Sequence, residues 1–396
     1  MKELVASGAL RPLAGIMLMH SALTTAAYAV PVIAPVAAPD MGLAPESVGF
    51  LVAVMYLAAM VTAPVSGILI ARIGPARLFQ ALLLGIALGC ALFSVSTALM
   101  AFLGALFIGC ASGPMNPVGS HVLVRAAPAR WRAFVFSVKQ CATPAGGMIA
   151  GALMPPLSLA FGWQAAMLTI PVAAIALMFL APMSTRGVAG GPVAGGSMLR
   201  AIVRSLRGVL LDAGLRRVAL AGTAFAACQM AIGSYLVVYL WRIAELSPAT
   251  AGLAFSAMHV AGIASRIVLG AIADRHVSSQ SLLAGLALVM ALSFAALTFV
   301  SSAWPVPALF AVTIAVGVSG NGWVGLFFSE LARLAPADRT AEIAGGGQSV
   351  MYAGIVAGPL IFGALLGASG SYALCLWLFA GLALASFVAL VLRSRG

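Results

Sequence analysis

Apolar stretches of about 20 residues follow one another from residue 12 to residue 392. Each is long enough for a helix to cross a bilayer core. Composition closes off the other folds. Hydrophobic residues make up 63% of the 396, charged residues 8%, and the mean hydropathy is +1.12. A soluble domain carries about 25% charged residues. This chain lacks the polar surface to cover a water-soluble body, so the bilayer must be its solvent. The runs are continuous, whereas membrane strands would alternate over about ten residues. A span with its loop takes roughly 30–35 residues, which predicts about twelve spans. The runs lie near 12–36, 47–71, 77–98, 100–124, 133–157, 163–182, 215–242, 248–272, 279–301, 304–332, 341–367 and 371–392. Ala27-Tyr28-Ala29 resembles a signal-cleavage site, but the apolar run continues past it and the segment reads as the first span.

The formal charge is +12. The basic residues stand singly or in small groups between apolar runs, so they form no nucleic-acid surface. With both termini inside, 18 of the 21 basic residues fall on the inner side and Arg242 alone on the outer side. This satisfies the positive-inside rule. The other two, Lys139 and Arg266, lie within spans. The cysteines, Cys90, Cys110, Cys141, Cys228 and Cys375, sit in apolar runs without a CxxC pair. They read as packing residues, and no metal site is expected.

The longest loop, 183–214, separates residues 1–182 from 215–396. It opens with glycines and continues as an amphipathic stretch carrying Arg200, Arg204 and Arg207. That stretch reads either as a helix on the anionic inner leaflet or as a basic cytoplasmic linker. The halves repeat each other. Leu43-Ala44-Pro45-Glu46-Ser47-Val48-Gly49 aligns with Leu246-Ser247-Pro248-Ala249-Thr250-Ala251-Gly252, 203 residues later. Ala127-Pro128-Ala129 aligns with Ala335-Pro336-Ala337, Gln140 with Gln348, and Asn116 roughly with Asn321. Two six-helix halves with a central basic loop is a transporter architecture.

The loop after the second span reads Gly67-Ile68-Leu69-Ile70-Ala71-Arg72-Ile73-Gly74. It resembles the G-x-L-A-D-R-x-G motif of the major facilitator superfamily, with Ala71 at the acidic position. The second copy keeps the acid as Asp274-Arg275. The resemblance spans the whole chain in span count, orientation and repeat. It implies an all-α integral membrane protein with 12 transmembrane helices in two pseudo-symmetric bundles. It also implies a gating latch, carried by Asp274 alone since Ala71 lacks the acid, with Arg275 and Arg72 as gating residues. Two family patterns are not met. Ala105 replaces the span-four arginine, and Pro144, Gly146 and Gly147 match the antiporter signature only partly. The pairs Gly85/Gly89, Gly109/Gly113, Gly147/Gly151 and Gly354/Gly358 suit close helix packing.

Lys139 and Arg266 each lie about seven residues, or roughly 10 Å, inside the inner boundary. Their repeat counterparts are Gly347 and Ala63. All nine acids, Glu3, Asp40, Glu46, Asp212, Glu245, Asp274, Glu330, Asp338 and Glu342, fall in loops or near span ends. Two buried cations without a midplane carboxylate call for an anionic ligand. Arg266 resembles the span-eight arginine of monocarboxylate and oxalate–formate carriers, which binds substrate carboxylate. The alternatives are snorkelling to the inner surface, or a gate ion pair with Glu330 or Glu342.

His259 is seven residues before Arg266 on the same face, and Tyr56 is its repeat counterpart. A histidine here could carry a proton with the anion. The cavity-lining role of spans one, four, seven and ten in the family adds Tyr28, Asn116, Tyr235, Tyr239, Asn321 and Trp323. Gln140 and Gln348 are paired polar positions, while His20 and His121 are weaker candidates. The expectation is a secondary transporter of a small organic anion, a carboxylate, in the bacterial cytoplasmic membrane, proton-coupled, monomeric, and with both termini cytoplasmic. Its partners are the substrate, protons and lipid, without nucleic acid or cofactor. The alternative is a proton-driven exporter of lipophilic drugs. No catalytic cluster appears, so the chain does not read as an enzyme.

Overall fold

A computed structural model describes residues 8–128, 131–188, 198–273, 277–336 and 339–392. Regular structure in the described residues is entirely helical. Among the described residues, ten helices are long and apolar enough to cross a membrane. One of them, Pro45–Phe93, has 49 residues. At about 1.5 Å per residue it would extend about 73 Å, more than twice a bilayer core of about 30 Å. It is broken at Gly74, where φ is +78° and ψ is 161°. Side chains rarely adopt that backbone conformation, so the last glycine of the loop motif makes the turn between spans two and three. The shorter apolar helix Trp163–Met178 supplies span six.

The remaining spans follow directly. Span one is Leu10–Asp40, span four Ala98–Ala126, and span five Val135–Phe161. Spans seven to twelve are Ala213–Ile243, Pro248–Ala273, Ser279–Leu297, Val306–Leu334, Thr340–Ser369 and Tyr372–Val391. Several starts carry side-chain caps. Thr97 Oγ1 accepts from Met100 N at 3.3 Å, and Asp212 Oδ1 accepts from Leu215 N at 2.8 Å. Ser278 and Ser371 cap spans nine and twelve in the same way. Such caps satisfy N–H groups that the first turn leaves open.

Span five carries a one-residue break at Cys141, between the helices Arg132–Gln140 and Ala142–Phe161. Pro144 has no N–H to offer the carbonyl of Gln140, so the ladder is interrupted there. Lys139 and Gln140 therefore stand in the last turn of the short helix.

The chain divides into two compact units. One comprises Met1–Ala194 with Pro248–Ser256, and the other Gly195–Ser247 with Ala257–Gly396. In the first, span one packs on span five, span four on spans two and three, and span three on span six. In the second, seven packs on eleven, nine on ten, and nine on twelve. The internal repeat is thus also a repeat of helix pairings. The glycine pairs explain how closely these helices approach. A methyl at Gly109 or Gly113 would overlap span two at Met55, Ala59 and Thr62. One at Gly354 or Gly358 would overlap span seven at Thr223 and Ala227. Outward faces carry large exposed side chains such as Val172, Phe179, Ile267 and Leu292, as lipid contact requires.

The linker helix, Met198–Leu211, groups with the second unit and packs on span eleven. Val209 is buried there, and the Ser205 backbone lies against Gly346. Part of its apolar side is therefore covered by protein rather than left for the leaflet. Arg204 and Arg207 are exposed.

Candidate functional site

Each unit holds one intramembrane cation against the asparagine of its fourth helix. In the first unit Lys139 is 1% exposed. Its ammonium donates to the Asn116 carbonyl at 3.0 Å and to Ser120 Oγ at 2.9 Å. It also donates to Asn116 Oδ1. Three N–H donors meet three neutral oxygens, which satisfies hydrogen bonding without cancelling charge. Span four suits this role because Asn116 and Ser120 share a face at i, i+4. Gly119 leaves room for the lysine stem, since a methyl there would lie 3.3 Å from Lys139 Cε. The Phe136 ring stands 5.8 Å from Nζ. His20, on span one, is 7% exposed, and among the described residues its Nδ1 has no hydrogen-bond partner.

In the second unit Arg266 Nε donates to the Asn321 carbonyl at 2.6 Å. The Asn321 side chain accepts from Gln229 Nε2 at 3.0 Å, and Gln229 Oε1 accepts from Trp323 Nε1 at 3.0 Å. Spans seven, eight and ten are tied together by this chain of polar groups. Phe225 stacks on Trp323 at 5.3 Å and Phe327 closes its edge at 5.6 Å. Gly262 permits the approach, because a methyl there would overlap Asn321. His259 is 1% exposed on the same helix. Ser265 Oγ donates to the Val318 carbonyl at 3.1 Å, adding to the seam between spans eight and ten.

The other expected residues are dispersed. Tyr28 is buried, with Phe255 edge-on at 5.7 Å in turns that group with the first unit. Tyr235 stacks on Phe362 at 4.5 Å, and its hydroxyl donates to the Pro359 carbonyl at 3.4 Å. Tyr239 donates to the Leu297 carbonyl. Both tyrosines therefore anchor helix packing inside the second unit. Tyr56, Gln140 and Gln348 are half-buried, and Gln348 hydrogen-bonds Tyr352 one turn on. His121 contacts Arg125 at 3.0 Å. Glu330 and Glu342 take Arg333 and Arg339 at i, i+3 rather than Arg266. Of the gating residues, Arg72 is exposed, and Asp274 and Arg275 lie outside the described residues. Ser120 and Gln229 were not singled out from the sequence. The spacing from Asn116 marks Ser120, and Gln229 is a lone amide in an apolar run.

The helix pairings, their repetition and the cation mounts define a polytopic membrane protein built as a duplicated transporter. A sequence model of the Major Facilitator Superfamily matches residues 16–359, and the chain belongs to that family. It is a multi-pass membrane transporter, and its partners include the bilayer and a small-molecule substrate. No curated protein matches the chain.

Proposed function

We propose that the protein is a secondary transporter that moves a small organic anion, a carboxylate, by alternating access in the bacterial cytoplasmic membrane. Both termini lie in the cytoplasm. The observation that carries this reading is the mounting of Lys139 on neutral oxygens. A cation held by amide, carbonyl and hydroxyl groups keeps its positive charge unbalanced within an apolar medium, and an anionic substrate lowers that cost. Arg266 adds a planar guanidinium able to meet a carboxylate with two parallel bonds. Asn116 and Asn321 orient the two cations. His259 and His20 are the proton-carrying candidates for symport, because histidine changes charge near neutral pH. The resemblance to the family assigns the gating role to Asp274, Arg275 and Arg72.

Counterflow in proteoliposomes tests the reading, supported by thermal-shift measurements on small mono- and dicarboxylates, inorganic anions and lipophilic cations. A carboxylate should exchange across the membrane and stabilise the parent, but stabilise neither Arg266→Ala nor Lys139→Ala. Exchange of lipophilic cations by parent and variants alike would replace the anion carrier with a drug exporter.

A further inference from the structure

Away from the cation mounts, the first unit contains a cavity of about 320 Å³ at the ends of spans one, five and six. That volume lies at the lower end of the range for small-ligand sites, about 300–1,000 Å³. Among its lining residues Asp40 carries the only charge. Asp40 Oδ2 accepts from Trp163 Nε1 at 2.7 Å, while Oδ1 has no hydrogen-bond partner among the described residues. Ser158 Oγ, on the same wall, is buried and also lacks a partner among the described residues. Val32, Ile33 and Leu159 supply apolar walls.

We propose that this cavity binds an ammonium group carried on an apolar stem. The exposed Asp40 carboxylate supplies the counter-charge through the oxygen that Trp163 leaves open. Ser158 Oγ supplies a second acceptor once its side chain turns into the cavity, and a donor-only ammonium satisfies both. The buried Trp163 ring beside the carboxylate adds an aromatic surface suited to a cation. The stem lies along Val32, Ile33 and Leu159. The bearer is a phospholipid with an ethanolamine headgroup or a free amphiphilic amine, since both present this chemistry. The site stands apart from Lys139 and Arg266 and does not depend on the anion reading.

The probes are hexylammonium with hexanol as its neutral counterpart, titrated calorimetrically into purified protein. In parallel, thermal stability is measured in nanodiscs containing phosphatidylethanolamine or its N-acetylated form, which has no ammonium. The parent should prefer the ammonium in at least one arm. Asp40→Asn should weaken that binding by about tenfold or more, equivalent to about 1.4 kcal/mol. Its amide oxygen still accepts from Trp163, so the fold is kept. Ser158→Ala should weaken it less, and Trp163→Phe, which keeps the carboxylate, should retain the preference. A response confined to nanodiscs identifies the lipid as the source, and a response to hexylammonium identifies a free amine. Equal binding of ammonium and neutral probes in both arms, or an Asp40→Asn protein that behaves as the parent does, overturns the proposal.

Discussion

Lys139 donates to the backbone carbonyl of Asn116 at 3.0 Å, and to that residue's side-chain oxygen as well. Arg266 donates to the backbone carbonyl of Asn321 at 2.6 Å. The cations come from different helices, spans five and eight. Their acceptors stand at roughly corresponding places on spans four and ten. The acceptor is an asparagine carbonyl in both units, while the donor differs in type and in helix.

Lys139→Met separates stability from transport. Methionine keeps most of the stem volume and removes a buried charge that no carboxylate balances, which offsets the loss of the hydrogen bond to Asn116 Oδ1. The melting temperature should stay level or rise. Transport of the anion in proteoliposomes should fall at least tenfold, about 1.4 kcal/mol. A large loss of stability with transport intact would make Lys139 a packing residue.

Asn321→Ala should destabilise the second unit. It strips Gln229 Nε2 of its acceptor in a buried setting, and such an orphan costs about 1–3 kcal/mol. Thermal unfolding in detergent reads this directly. Adding Gln229→Leu should recover part of the loss, because the stranded amide is then gone.

Glycine substitutions should divide by position. Gly109→Val would drive a side chain into the backbone of Met55, and overpacking costs about 1–3 kcal/mol. Gly285→Ala meets nothing within 4 Å and should change stability by less than about 0.5 kcal/mol. Gly74→Ala is a third case. Its space is open, but its φ of +78° imposes backbone strain of about 1–3 kcal/mol. Melting temperatures of the three variants should fall in that pattern.

Arg333→Ala should cost more than Glu330→Gln. Glu330 is 1% exposed and accepts from Arg333 at 2.6 and 2.9 Å, whereas Arg333 is 59% exposed. Truncating the arginine leaves a buried carboxylate without its cation, while the glutamine still accepts from the arginine. Thermal unfolding of the two variants and the double mutant measures the difference.

Much of the fold is legible in residue order because the bilayer imposes a length on every apolar run. The runs near 100–124, 215–242 and 279–301 correspond to helices Ala98–Ala126, Ala213–Ile243 and Ser279–Leu297. The repeat already sets Asn116 roughly opposite Asn321. Helix ends were less legible. The joint at Cys141 follows from Pro144, yet hydropathy runs straight across it.

The candidate site was legible in its charges and less so in its partners. A cation inside an apolar run stands out whatever surrounds it, which marks Lys139 and Arg266. Tyr235 and Tyr239 share a face at i, i+4, but periodicity says nothing about which neighbour receives that face. Packing assigns their hydroxyls to carbonyls of Pro359 and Leu297. Gln229 enters the network for the same reason, through span ten lying against span seven.

The sequence by itself determined the membrane solvent, the all-helical class, the doubled architecture and the presence of two intramembrane cations. These depend on composition and on spacing along one chain. Tertiary structure alone decided which oxygens hold those cations, which tyrosines serve packing, and where Asp40 and Ser158 share a cavity. Hydrogen bonds reach only about 3 Å, so their partners are set by how helices distant in sequence are brought side by side.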